Sequence, residues 1–458
     1  MTEPVEVDPY TVRDGEAHPP PEKFLGRIKY LGPSLIVSGS VVGSGELILT
    51  AGLGASVGFA LLWWMLISCW SKSLVQAEIA RYIIVSGDTY LRAMNRIPVR
   101  IGKLSVPVWL MLIAFIPNIM TLGGVMGGGG QALAVLIPWI DPNWATGCIG
   151  LAVIIILNIG AYKGLEKVML VLVMTFTVTT IICSIAMQFT EFKVTAADIA
   201  SGFAFEFHWE YVALALGAYG ITGVNSAEIS AYTYWCVEKG YPSFLGSKRV
   251  GDDWEPHARG WMKVLHTDVW FTLIILTCAT LPFYVLGAGV LHTMDEIPEG
   301  NETIAVLSNM FTETLGPWAL WLFGIGAFFI LSSTVLSGIG AGARYIPDYF
   351  MEMGLINRSD LRLRQRCIRI YVTIVPVFAF LVYLRFERPV FLVIIGGLAA
   401  AIMMPVQSGG TLWLQANNMD QRIQPGKFAK TCLRFIFAFQ LAMAGLVIWF
   451  IVIKPQLG

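Results

Sequence analysis

Charge is what this chain has least of. Only 14% of its 458 residues are Asp, Glu, Lys or Arg, whereas 56% are hydrophobic and the mean hydropathy is +0.66. A soluble domain carries roughly 25% charged residues, so this chain has too little polar surface to face water on every side. Its 31 basic and 31 acidic residues cancel, which leaves no net field to gather nucleic acid or an acidic partner. Nucleotide chemistry is missing too. No glycine-rich loop ends in Gly-Lys-Ser/Thr, which argues against ATP-driven pumping by this chain. The seven cysteines (Cys69, Cys148, Cys183, Cys236, Cys278, Cys367, Cys432) stand singly, without metal-ligand spacing, and read as buried thiols. The five histidines (His18, His208, His257, His266, His292) form no ligand pair. None lies near Ser44 in sequence, so Gly43-Ser44-Gly45 is not evidence of a serine nucleophile. The reading is of a non-enzyme with no cofactor.

What the chain has instead is long apolar runs. Residues 1–30 are polar, with Pro19-Pro20-Pro21 and no h-region, so no cleavable signal peptide is expected. Apolar segments follow at 34–55, 58–83, 105–138, 145–161, 166–188, 211–236, 265–290, 317–342, 367–384, 389–413 and 431–453. Each supplies the roughly 20 apolar residues that a spanning helix needs. The expectation is an all-α polytopic membrane protein of about 11 transmembrane helices, with the bilayer as its solvent. The run Gly127-Gly128-Gly129-Gly130 is expected to bend or break the third helix.

Basic residues set the orientation. Lys23, Arg27 and Lys29 precede the first segment; Arg92, Arg96, Arg100 and Lys103 follow the second. Lys163 and Lys167 lie at the next even-numbered connection. Lys239, Lys248, Arg249, Arg259 and Lys263 follow the sixth, and Arg344, Arg358, Arg362, Arg364 and Arg366 follow the eighth. The loop holding Asp295, Glu296, Glu299 and Glu302 has no Lys or Arg. An inside N-terminus and, with eleven spans, an outside C-terminus are expected, in the plasma (inner) membrane. Tryptophans such as Trp63, Trp64, Trp139 and Trp318 fall near helix ends, where interfacial anchoring accounts for them.

Two stretches stand out inside the apolar runs. Val42-Gly43-Ser44-Gly45-Glu46 and Val224-Asn225-Ser226-Ala227-Glu228 both read Val-x-Ser-small-Glu, about 180 residues apart. Packing of small residues explains the Ser and Gly. It does not explain two carboxylates, which cost several kcal/mol at membrane depth unless they face a cavity or a partner. Paired interruptions in two halves of a chain point to a transporter's binding site.

Gly32-Pro33-Ser34-Leu35 leading into Gly43-Ser44-Gly45-Glu46, then Ala51-Gly52 and Gly58, resembles the first helix of the NRAMP divalent-metal transporters. Leu322-Phe323-Gly324-Ile325-Gly326, Ser332-Ser333-Thr334 and Gly338 to Gly342 resemble that family's eighth helix. Gly217 to Ala227, Asp268 as the start of the seventh helix and Met404-Pro405 in the tenth also fit. The resemblance covers about residues 30–430, specific in spacing and weak in identity. It implies a leucine-transporter-type fold: an inverted 5+5 repeat with broken helices 1 and 6, plus one further helix. The expected divisions are 1–30, 31–190 and 205–415 for the two repeats, and 428–458 for the eleventh helix and outside tail.

Departures from the family pattern bear on the substrate. The family's Asp-Pro-Gly-Asn is replaced by Gly43-Ser44-Gly45-Glu46, so its metal-binding Asp becomes Gly43. Its Ala-x-x-Met-Pro-His aligns with Ile221 to Ser226, so the thioether ligand becomes Val224 and the His becomes Ser226. Its third-helix acids align with Ile113, Met120 and Gly123, which argues against the family's proton coupling. Losing the soft sulfur argues against Mn²⁺ or Fe²⁺ selectivity.

Two substrate readings follow. In one, Glu46, Asn225 and Glu228 with exposed carbonyls bind a hard divalent cation such as Mg²⁺. In the other, the Gly43-Ser44-Gly45 amides receive a small organic solute such as an amino acid; Ala218-Tyr219-Gly220 also resembles amino-acid carriers of that fold. The cation reading leads, because Glu46 repels a free carboxylate. A membrane receptor that no longer transports is a third reading.

Overall fold

Apolar runs of this length have one economical answer in lipid, the α-helix, which satisfies every backbone group within its own segment. The computed structural model describes residues 10–12, 16–33, 43–160, 162–246 and 254–457, and these are almost entirely helical. The beginning of the first span (34–42) and Lys248 and Arg249 lie outside the described residues.

All eleven expected spans have helical counterparts. Seven described helices are long and apolar enough to cross a membrane unaided: Val106–Leu136, Val171–Phe189, Trp254–Leu291, Ala319–Glu352, Leu361–Phe386, Pro389–Asn417 and Lys427–Ile451. Two shorter apolar helices, Gly45–Val57 and Pro142–Asn158, fill the first and fourth places. The second span, Leu62–Ser86, is long enough but carries Lys72, Glu78 and Arg81. The sixth is broken into Val212–Ile221 and Ser226–Glu238.

Local chemistry fixes the ends. Gly87 at φ 72° closes the second span with a left-handed cap, its N–H donating to the Ile83 carbonyl at 2.8 Å. Asp141 caps the fourth span by accepting from the Asn143 and Trp144 amides, with Pro142 in its first turn. Asp360 caps the ninth through the Leu363 amide at 2.9 Å.

Two expectations about helix geometry are corrected. The glycine run does not interrupt the third span, because Phe115–Leu136 is helical throughout; the irregularity lies at Ala114, between Val106–Ile113 and Phe115–Leu136. The glycines serve close packing. A Cβ on Gly123 would stand 2.6 Å from the Ala379 carbonyl oxygen, and one on Gly130 equally close to that of Pro142. Nor does Asp268 start the seventh helix. That helix begins at Trp254, and Asp268 is buried in it, accepting from the Tyr232 hydroxyl at 2.7 Å.

The third span packs against the fourth, eighth, ninth and tenth, and the tenth packs along the first half of the sixth. The break of the sixth span is thereby held in the interior of the bundle. On the side of the acidic loop, hydrogen bonds tie the end of the first span to the seventh. The Tyr284 hydroxyl donates to the Gly58 carbonyl at 2.8 Å and accepts from the Leu61 amide at 3.0 Å, and His292 Nδ1 donates to the Ala55 carbonyl at 2.8 Å.

Candidate substrate site between the broken helices

The sixth span stops because its sequence turns. Thr222 leaves helical geometry at φ −69°, ψ 139°, and Gly223 sits at φ +69°, where only glycine is comfortable. Asn225 then restarts the helix. Its side chain accepts from the Glu228 amide at 3.0 Å while Glu228 Oε2 accepts from the Asn225 amide at 2.8 Å, a reciprocal capping box.

Glu46 plays the matching part in the first span and goes further. Its Oε2 accepts from the Gly43 amide at 3.2 Å, three residues back, as Glu228 does. Its Oε1 accepts from the Gly223 amide at 3.1 Å and from the Thr280 hydroxyl at 3.3 Å. One fully buried carboxylate thus ties the first span, the break of the sixth and the seventh span together. Thr50 and Thr222 add a hydroxyl–hydroxyl bond at 3.0 Å between the same segments. The first span winds here as a π-helical turn, Gly45–Thr50, a widening common at functional sites.

A helix ending inside the bundle leaves carbonyls without partners. Lys72 of the second span takes two of them. Its ammonium donates to the Tyr219 carbonyl at 2.6 Å and to that of Thr222, and lies 5.2 Å from the centre of the Tyr219 ring. Lys72 is completely buried, and its charge acts on both Glu46 and Glu228. Sequence reasoning missed this residue, although a lysine in the middle of segment 58–83 was a signal of the same kind as the two glutamates. It also missed a second buried network. Arg81 donates twice to Glu78 and once, at 2.7 Å, to His266 Nε2, and Gln415 donates to Glu78 at 2.8 Å.

A cavity opens beside the break of the sixth span in two adjoining lobes, which share Asn118, Thr121, Ile221, Asn225, Ala227 and Tyr345. The first lobe reaches Ser44, Gly45, Glu228 and Thr334; the second runs to Ser226, Gln407, Tyr90 and Tyr349. Tyr90 follows the end of the second span and Tyr349 lies in the last turns of the eighth, so the cavity leads to the face of the basic connections. Among the described lining residues Glu228 is the one charged side chain. Gln407 donates to the Ser226 carbonyl at 2.7 Å and to the Ser230 hydroxyl at 3.2 Å, and the buried Tyr90 hydroxyl stands beside Gln407 and Ser230.

Of the residues expected at a site, Ser44, Gly45, Ile221, Asn225, Ser226 and Glu228 line this cavity. Gly43, Glu46, Tyr219 and Val224 stand in its walls instead. A Cβ on Gly43 would collide with Thr334, and Tyr219 and Val224 are fully buried. The residues expected as metal ligands are all engaged within the protein: Glu46 through both oxygens, Asn225 and Glu228 with each other's amides. Among the described residues no three His, Cys, Asp or Glu gather as a metal-binding group.

Residues 34–452 match the family model described as natural resistance-associated macrophage protein-like. The chain belongs to this Nramp family. An uncharacterized protein of Pasteurella multocida (strain Pm70) is 25% identical over 324 residues, 69% of either chain. Among solved structures, a mutant of an Eremococcus coleocola manganese transporter superimposes with a TM-score of 0.62 at 15% identity, over 97% of this chain and 92% of that one. The nucleobase-cation-symport-1 family transporter Mhp1 gives a TM-score of 0.55 at 10% identity, over 92% of both. The Nramp chain therefore has the leucine-transporter-type fold of an integral membrane protein, with the described part of helix 1 facing the break of helix 6.

Proposed function

We propose that this Nramp-family protein is a secondary transporter, not an enzyme, that carries a small polar organic solute bearing no more than one positive charge. Charge balance at the breaks carries the reading. Two carboxylates, Glu46 and Glu228, share their low-dielectric surroundings with one fixed ammonium, Lys72. With all three ionised the region carries one net negative charge, which a monovalent cationic group balances and a divalent ion overshoots. Glu228 meets the solute, Asn118, Ser226 and Gln407 line the cavity with polar groups, and Tyr345 and Tyr349 supply aromatic side chains.

A second reading, a hard divalent cation such as Mg²⁺ held by Glu228, Asn225 and Glu46, is favoured by family membership and by the manganese carried by the structural relative. Missing acids at Ile113, Met120 and Gly123 support transport without the family's proton coupling in either case. The two halves at 31–190 and 205–415 would act as the inverted repeats, moving around the breaks. The N-terminus would be cytoplasmic and the C-terminus outside, in the plasma (inner) membrane.

Purified protein is to be screened with Mg²⁺, Mn²⁺ and Ca²⁺ against amino acids, amines and other small solutes, followed by flux of the hits into liposomes. Saturable flux of an organic hit, without competition by Mg²⁺, is the expected result. Saturable Mg²⁺ uptake that Mn²⁺ competes with would establish the second reading, and binding without flux would mark a receptor.

A further inference from the structure

We infer that Lys72 is a resident cation: its ammonium fills a site that the broken sixth span builds for a free monovalent cation. Helix ends inside a membrane carrier expose carbonyls that gather cations. Here the exposed carbonyls are those of Tyr219 and Thr222, and both accept from Lys72 Nζ. The negative end of the Val212–Ile221 helix points at the same place, and the charges of Glu46 and Glu228 act on it.

Hydrogen bonding alone does not account for a lysine. The Ser68 hydroxyl, with one proton to give, lies 3.1 and 3.2 Å from the same two carbonyl oxygens, so a neutral donor to either is in place. What Ser68 cannot supply is positive charge. Burying an ammonium costs several kcal/mol unless charges of opposite sign offset it, and the Glu46 and Glu228 charges act on Lys72 in that sense. The Tyr219 ring face, 5.2 Å from Nζ, completes the enclosure. Because the charge is tethered to the second span, no coupling cation enters this position, and Na⁺ is not needed to hold the breaks together. The inference rests on the transporter reading for the meaning of the site, but not on any substrate.

The test is thermal unfolding of the full chain in detergent, which needs no substrate. Wild type should have the same Tm in NaCl, KCl and choline chloride at equal ionic strength. Lys72→Ala should lower Tm and open the vacated channel to small cations. Millimolar n-propylammonium or Na⁺ should then restore at least about half of the loss, while neutral n-propanol and bulky choline should not. Lys72→Met, which fills the space without charge, should also be less stable and gain nothing from n-propylammonium. Selective stabilisation of wild type by Na⁺ would overturn the inference, since the cation site would then still be open. So would a folded Lys72→Ala that no cation stabilises, or that propanol stabilises equally. If Lys72→Ala does not fold, the wild-type comparison and Lys72→Met decide: cation indifference of both supports the resident charge. Failure of the transporter reading would appear in liposome flux alone and leave these Tm values unchanged.

Discussion

Three residues before each of the two glutamates stands a backbone amide from which its carboxylate accepts, Gly43 for Glu46 and Asn225 for Glu228. The two side chains nevertheless do different work. Glu46 accepts from three donors on three segments, and an amide in its place offers one acceptor oxygen and turns an N–H₂ toward a donor. Glu46→Gln should therefore destabilise by about 1–3 kcal/mol, read as a lowered Tm. Glu228→Gln keeps an acceptor for the Asn225 amide and can turn its N–H₂ into the cavity. It should cost less than about 1 kcal/mol in stability while weakening binding of any cationic solute. Equal Tm losses in the two variants would contradict this division. The paired motifs were legible in sequence because a carboxylate in an apolar run is conspicuous. That one glutamate lies in a wall was not, since it depends on where Gly223 and Thr280 arrive from 177 and 234 residues away. Val224 shows the same limit: expected from the resemblance at the place of the family's methionine, it is fully buried outside the cavity lining.

Helix by helix, apolar length located the spans well, because the requirement for about 20 apolar residues acts within each segment. Irregularities were harder to place, since they depend on neighbours. Four consecutive glycines predict a weak helix by intrinsic propensity, yet the third span runs straight through them. Glycines in and beside the run let other elements approach: Gly127 faces the Tyr383 ring, Gly124 the Pro389 carbonyl, Gly130 the Pro142 carbonyl. Gly127→Ala puts a methyl into that ring and should destabilise by about 1–3 kcal/mol despite alanine's better helix propensity. Gly445→Ala in the eleventh span, where nothing lies within 4 Å of the new Cβ, should be neutral or gain up to about 1 kcal/mol. Thermal shifts of opposite sign would separate packing from propensity. Two losses of similar size would mean that propensity and bilayer contacts outweigh the fit to Tyr383.

At the scale of the whole molecule, the cavity and the bonds near the acidic loop lie on opposite sides of the breaks. Tyr284 and His292 tie the end of the first span to the seventh there, and the cavity leads toward the basic connections. Part of the N-terminal segment packs on that basic face. The Tyr10 hydroxyl donates to Glu238 at 3.1 Å, with the Arg364 guanidinium 4.3 Å from its ring centre, and the Trp261 indole donates to the His18 carbonyl at 2.9 Å. If basic connections remain in the cytoplasm, as the energetics of charge translocation favour, this conformation faces inward. Arg362 and Glu299 are both exposed and lie at connections assigned to opposite sides. With the seven native cysteines replaced, since Cys148 and Cys278 are exposed, single cysteines can be placed at these two positions. A membrane-impermeant maleimide should label Glu299→Cys on intact cells and spare Arg362→Cys, and the pattern should reverse in inside-out vesicles. Reversal of both patterns would turn the molecule over and make the cavity outward-facing. Labelling of both from one side would mean an even number of crossings separates them, which the eleven-span arrangement does not allow.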